Sequence, residues 1–381
     1  MTKKFVFVSG DIGGATYQLP VRQDLVARGH AVDMLADPEG NGADVLKKAG
    51  IFFRTDVNSE LTKELLDSAD LVFINTCASA SKLEERVLLD TVGNALVVMG
   101  SDGLFNHGFS KWRVVPYDNR LYWFAINEGH AQAIRRLRPK LDPRGIVIVG
   151  QPAFDSVLDY IPQKKEIRLK ARETLCRLPE EDIVILWWSQ GMLDVISEDV
   201  CMLFHGLSYL SELESLEKAG NIRLVPRIHP KLNQTVSAGY VEELRKMLEI
   251  CVPDTIIVQD NDDMRNMRAE DLCLASDVIL SVTCTEDIKN VMMGGPPVVH
   301  LCGPLAQRWF EKELGQTRPY LPDIRTGQSL VAWSADQVGP EIEKALDPAI
   351  QKQLLVNWQA PTEKATKVVA DKLIAIAEGR L

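Results

Sequence analysis

Long apolar runs are missing from this 381-residue sequence, and no segment approaches the roughly 20 residues of a membrane-spanning helix. A basic excess is missing as well: 43 Lys and Arg face 53 Asp and Glu, for a net charge of -10. That balance argues against a dedicated nucleic-acid binder, which carries a positive footprint. The seven cysteines (Cys77, Cys176, Cys201, Cys251, Cys273, Cys284 and Cys302) are odd in number and form no CxxC pair. Most lie in apolar stretches, so buried free thiols in a reducing compartment are expected rather than a disulfide framework or a zinc site. The apolar run from Phe5 to Val8 is too short for a signal peptide. The glycines at 10, 13 and 14 do not match G-x-G-x-x-G, which weakens a nicotinamide reading even though Asp37 sits where a ribose-binding acid would stand. Together these absences point to a cytoplasmic protein.

What is present is a regular alternation. Short apolar strands are expected at 4–10, 31–37, 51–54, 70–75, 95–99 and 145–149, with helices at about 15–28, 43–49, 59–68 and 80–92 between them. Continuous apolar strands flanked by helices indicate a parallel sheet covered on both faces. A proline-containing basic stretch, 159–170, reads as a connector. The pattern then restarts, with strands at 182–188, 222–228, 255–259, 277–282 and 297–301, and helices at about 197–218, 235–250, 264–275 and 285–293. From about 334 to 379 only helix is expected. The fold class is therefore α/β: two Rossmann-like doubly wound parallel-sheet domains facing a cleft, residues 1–160 and 161–358. Ligands bind such sheets outside the carboxyl ends of the strands, so the chemistry belongs in the strand-end loops.

The first such loop is "SGDIGGATYQLP", Ser9 to Pro20. Gly13 and Gly14 let backbone approach an acceptor or a phosphate. Asp11, between a strand end and a helix start, has the chemistry of a general base toward an acceptor hydroxyl; a helix cap accounts for the same residue. Pro20 costs no hydrogen bond if it falls in the first helical turn.

In the second domain, Ser189, Gln190 and Gly191 follow the first strand with a hydroxyl, an amide and open backbone. Arg227 and His229 follow the next, and suit a phosphate; His229-Pro230 could equally do no more than end a strand. In "SVTCTEDIKNVMMGGPPVVHL" a helix begins near Thr285. Its free N–H groups and dipole favour a diphosphate, with Thr283 and Thr285 adding hydroxyls. Glu286 would repel a phosphate, so a neutral diol such as ribose suits it better. The plainer reading is a capped helix with an acidic first turn.

Four stretches carry a resemblance: "GDIGGATYQLP", "VIVGQPAFDSVL" (147–158), "RIHPK", and "ASDVILSVTCTEDIKNVMMGGPPVV" (275–299). The sequence resembles the glycosyltransferase-B superfamily, which includes the non-hydrolysing UDP-N-acetylglucosamine 2-epimerases. The resemblance implies a nucleotide-sugar donor held mainly by the second domain, with Glu286 on its ribose, and an acceptor held by the first. It also implies no bound metal or cofactor, and a C-terminal helix in 359–381 packing back on the N-terminal domain. Asp11 matches the aspartate base of heptosyltransferase-like members; Ala15 stands where many other members have His. "SQGMLD" replaces the H-R-R-E-N stretch of the epimerases, which makes epimerase the second choice.

Three features invite other readings. "DNDD", Asp260 to Asp263, suggests a metal, but adjacent acids in a polar loop are ordinarily a solvated turn. The basic run 130–144 lies near Trp112, Tyr117, Tyr122, Trp123 and Phe124. It would suit peripheral contact with anionic lipid at the inner membrane face, useful for a lipid-linked acceptor; a solvated helix beside an aromatic core accounts for it as well. Cys284 reads as a small packing thiol, with no adjacent His to activate it. The expected function is transfer of a sugar from a nucleotide-sugar to a sugar or lipid-linked acceptor, in surface polysaccharide or glycolipid synthesis. The alternatives are a nucleotide-sugar 2-epimerase or hydrolase, and a non-catalytic binding or scaffold protein. Oligomeric state is left open.

Overall fold

The computed structural model describes residues 2–38, 40–56, 59–76, 83–84, 87, 95–101, 120–175, 179, 181–189, 193–213, 221–228, 246–247, 250, 255–258, 266–314, 318, 321–356 and 361–381. The chain divides into two compact units. One is Met1–Ser156 with Lys312–Gln316 and Thr362–Leu381; the other is Val157–Glu311 with Thr317–Pro361.

The first unit is a six-stranded parallel sheet: β1 (Lys4–Ser9), β2 (Ala31–Ala36), β3 (Leu71–Thr76), β4 (Leu96–Ser101), β5 (Leu121–Ala125) and β6 (Ile146–Ile148), in the order β2-β1-β3-β4-β5-β6. Its strands are apolar throughout because both faces are covered. Phe5 and Phe7 join Tyr17, Val21 and Leu25 of the helix Ile12–Ala27 on one face. Val6 and Val8 point the opposite way, as strand periodicity requires, and pack with Leu66 and Ile134. Each fully buried side chain of this kind contributes about 1.5–3 kcal/mol. The helix Ala365–Ala377 adds Val369, Leu373 and Ile376 to the phenylalanine face. Asp155, from the "VGQPAFD" stretch, accepts the Ala365 amide at 2.6 Å and the Thr366 amide at 3.0 Å, which fixes the start of that helix.

The second unit repeats the architecture. Its strands are β7 (Ile183–Trp188), β8 (Ile222–Arg227), β9 (Thr255–Ile257), β10 (Val278–Ser281), β11 (Val298–Leu301) and β12 (Leu330–Ala332), in the order β12-β11-β10-β7-β8-β9. All the pairings are parallel. The helices Leu193–Ser211 and Ala335–Leu346 cross closely: a Cβ on Gly206 would meet Val338 Cγ1 at 2.6 Å.

Several expectations are corrected. Residues 51–54 form no sheet strand; only a single bridge joins Leu35 to Arg54. β5 and β12 are additional strands. The supposed connector contains the helix Lys164–Thr174, whose basic side chains are held from outside: Arg168 and Arg172 each reach Asp277 at 2.6 Å. The first helix starts at Ile12, so Pro20 falls in its interior and removes one i→i−4 bond. The main division between the compact units falls at 156/157. The basic run is largely engaged. Arg138 is buried and stacks 4.8 Å over Trp123, while Arg135 pairs with Glu128 and Arg144 with Asp142. Among the described residues no helix is long and apolar enough to cross a membrane.

Candidate functional site

Strand order locates the sites before any side chain is considered. In the first unit the chain runs from β1 to β2 and then crosses to β3 on the other side of β1. In the second it runs from β7 through β8 and β9, then returns to β10 on the other side of β7. These reversals open crevices at the strands' carboxyl ends, between β1 and β3 and between β7 and β10.

At the first switch point Asp11 is half-buried, in extended conformation, and caps the helix: its Oδ1 accepts the Gly14 amide at 2.9 Å. Gly14 is required by packing inside the loop rather than by an open approach. A Cβ there would meet Ser9 Oγ at 2.8 Å and Asn75 Cβ at 3.1 Å. Gly13 lies beside it in the same first turn. The loop is braced by buried polar groups that sequence reading missed. Glu84, 0% exposed, accepts the Gly10 amide at 2.5 Å. The buried Gln18 amide reaches Val8 O at 3.0 Å, Phe73 O at 3.1 Å and Asn75 Oδ1 at 3.1 Å. Gln18 sits four residues past the Gly-Gly pair inside a helical pattern, where only the register of the helix on the sheet reveals that it turns inward.

At the second switch point the parallel register aligns Trp188 with both Arg227 and Ser281. This brings Ser189, Arg227 and the loop leading to Thr283, Thr285 and Glu286 to one edge of one sheet. Ser189 is buried, and its amide donates to the Arg227 carbonyl at 3.1 Å. Gln190, Gly191 and His229 lie outside the described residues, as does the stretch Asp260 to Asp263.

The helix Thr285–Met293 begins after Cys284 and stops at Gly294, which adopts the left-handed conformation at φ 60°. Thr285 occupies the first helical position, so its N–H has no intrahelical acceptor. The acids of the first turn are less anionic than they read. Asp287 is buried and its Oδ2 accepts the Ser281 hydroxyl at 2.6 Å and the Cys284 amide at 2.9 Å. Burial pushes its pKa up to about 7, against the pull of His300. Glu286 meets Lys289 at 3.1 Å, and Lys289 meets Glu270 at 3.2 Å. Burial raises the Glu286 pKa and Lys289 partly offsets it. For Lys289, burial works against the charge but the two glutamates outweigh it and raise its pKa. Behind the loop, His300 contacts Asp323 at 2.6 Å, and Ser329 donates to the same carboxylate oxygen at 2.7 Å. Burial opposes both charges of that pair, yet each partner sustains the other: His300 is raised and Asp323 lowered. Burial lifts the Cys284 thiol well above its ordinary pKa, which leaves it a poor nucleophile. Cys284 is only half-buried by exposure, Cys273 and Cys302 are buried, and Cys201 is exposed. Among the described residues no group of His, Cys, Asp or Glu is placed to hold a metal ion.

No protein-family model matches this chain, and no curated protein matches it in sequence. Solved structures match it over nearly its full length. A glycosyltransferase from Rickettsia africae is similar with a TM-score of 0.57 at 14% identity, covering 100% of this chain and 98% of that one. A UDP-GlcNAc 2-epimerase from Neisseria meningitidis bound to UDP-GlcNAc gives 0.61 at 14%, covering 98% and 100%. MurG from Acinetobacter baumannii gives 0.55 at 13%, covering 98% and 99%. The chain has the glycosyltransferase-B fold.

Within this fold the "VGQPAFD" stretch has a visible structural role. Gln151 is buried, and Asp155 anchors the C-terminal helix of the first unit. The second unit's strand–loop–helix block around residues 278–301 is the part that meets a switch point.

Proposed function

We propose that this protein transfers a sugar from a nucleotide-sugar donor to an acceptor hydroxyl. The observation that carries this reading is the convergence of Ser189, Arg227, Thr283 and Thr285 at the switch point of the second sheet. A helix start there offers the Thr285 amide and threonine hydroxyls to a diphosphate. Lys289, bonded to Glu286, and the burial that raises the Asp287 pKa both reduce the repulsion from the first-turn acids. Glu286, already bonded to Lys289, is the group assigned to the donor's ribose. Asp11 is the base assigned to the acceptor hydroxyl: it removes the proton as the oxygen attacks the anomeric carbon, and the nucleoside diphosphate leaves with the bonding electrons. One-step attack of this kind inverts the anomeric centre. The reaction calls for no metal or cofactor in this reading, and a sugar or lipid-linked molecule of surface polysaccharide or glycolipid synthesis is the acceptor, in the cytoplasm or at the inner membrane face.

The test is a nucleotide-sugar panel with UDP-, GDP-, CDP-, ADP- and dTDP-sugars. Binding raises the melting temperature by mass action. Asp11→Asn preserves the capping acceptor, so donor binding and stability stay while turnover is lost. Unchanged turnover removes Asp11 from its assigned role. Release of free sugar or a 2-epimer without acceptor favours the epimerase or hydrolase reading, to which the similarity with the Neisseria enzyme lends weight. Donor binding with no turnover under any acceptor screen favours a non-catalytic binder.

A further inference from the structure

Asp287 is a buried acid, 1% exposed, with donors on one oxygen only. Its Oδ2 accepts both the Ser281 hydroxyl and the Cys284 amide. Its Oδ1 is buried with no hydrogen-bond partner among the described residues. An ionised carboxylate taken out of water needs donors on both oxygens. A bare oxygen is far less costly on a neutral acid than on an anion, so the geometry itself favours the protonated form.

The neighbouring elements leave little to hold a charge there. His300, on β11, favours the anion, but its partner Asp323, on the short helix Pro322–Arg325, opposes it. From the helix Ala269–Ala275, Glu270 is taken up by Lys289, and so is Glu286 on the helix of Asp287 itself. Cys273 and Cys284 are raised well above the ordinary thiol range and stay neutral. Tyr160, of the helix Val157–Tyr160, answers to Glu270, Asp271 and Arg268. The outcome is an Asp287 pKa of about 7, with burial as its first cause.

Asp287 is the third residue of the helix Thr285–Met293, and its carboxyl group reaches back to Cys284, the residue before that helix. It therefore lies under the turn whose Thr285 amide is assigned to the donor's diphosphate. Two anions so placed repel each other through a poorly screened interior. We propose that Asp287 is a positioning residue whose carboxyl group must be protonated for tight donor binding, so that a nucleoside diphosphate takes up a proton as it binds. The inference rests on the assignment of the donor to this helix start. The proton comes from solvent and resides on Oδ1, while Oδ2 goes on holding Ser281 and Cys284. By reciprocity, the bound diphosphate raises the affinity of Asp287 for its proton, and diphosphate affinity falls as pH rises past 7.

The experiment is calorimetric titration of UDP, GDP, CDP, ADP and dTDP into the full chain at pH 6, 7 and 8, in two buffers of unlike ionisation enthalpy. The diphosphate that binds is expected to bring a net proton with it above pH 7, where its own terminal phosphate is already ionised. Asp287→Asn keeps an oxygen for the Cys284 amide and cannot ionise. It is expected to match the wild type at pH 6, to bind up to about tenfold more tightly than the wild type at pH 8, and to lose the proton uptake. Asp287→Ala removes the acceptor as well and is expected to weaken binding at every pH, as a purely structural role would for both variants. Binding to the wild type without proton uptake above pH 7, or Asp287→Asn no tighter than the wild type at pH 8, would overturn this inference and leave the donor assignment standing. No binding of any of the five would overturn both. If Asp287→Asn fails to fold, the proton count of the wild type decides.

Discussion

The carboxylate of Asp287 lies 2.6 Å from the hydroxyl of Ser281 and takes the Cys284 amide on the same oxygen. One buried acid therefore ties the end of β10 to the start of the helix assigned to the donor. Its pKa rises from 3.8 to about 7 on folding, mainly through burial. The folded protein holds this proton more tightly than the unfolded chain. Asp287 thus contributes stability below about pH 4 that is lost as pH rises toward 7. His300, also raised, adds a loss in the same direction at higher pH, and Asp323, lowered, acts oppositely in acid. Asp287→Asn is expected to flatten the fall in urea midpoint between pH 5 and 7. An unchanged slope would show that Asp287 does not titrate in that window.

Lys289 bridges Glu270 and Glu286, with all three side chains largely buried. Lys289→Met leaves two carboxylates facing each other and should cost roughly 1–3 kcal/mol or more in denaturant melts. Donor affinity should fall with it, because Glu286 loses the partner that fixes its position. The double variant Lys289→Met/Glu270→Gln should recover part of the loss in stability.

Asp155 holds the first two amides of the helix Ala365–Ala377. Asp155→Ala should cost about 0.5–2 kcal/mol, the usual value of a helix-start acceptor. Amide exchange should quicken along 365–377 before it changes in β1 or β3. Uniform exchange across the first unit would show that this helix opens only with the whole sheet.

Much of the fold was legible in the sequence because the strands are buried on both faces, so β1, β3 and β7 read as unbroken apolar runs. β5 was hidden because its Tyr122, Trp123 and Phe124 were read as aromatics beside the basic run rather than as a strand, and β12 because it has only three residues. The helix Lys164–Thr174 was hidden because its buried face is ionic: nothing local shows that Arg168 and Arg172 share Asp277, more than 100 residues away. In the candidate site, Ser189, Arg227 and Thr283–Glu286 could be picked out because each stands at or just past the end of a strand in one sheet. The bracing by Glu84, Gln18, His300 and Asp323 was invisible, since each acts through partners that only the folded sheet brings close.

The sharpest test concerns the Thr285 amide. Proline is well tolerated at the first helical position, where its missing N–H has no intrahelical role, and Cys284 is already extended, as the residue before a proline prefers. Thr285→Pro therefore removes one donor, and its hydroxyl, while sparing the helix. Calorimetric titration with the nucleoside diphosphate that binds the wild type should show affinity weaker by at least about tenfold, with the melting temperature of the free protein nearly unchanged. Equal affinity in the variant, or no binding of any nucleoside diphosphate to the wild type, would contradict the assignment of this helix start to the donor.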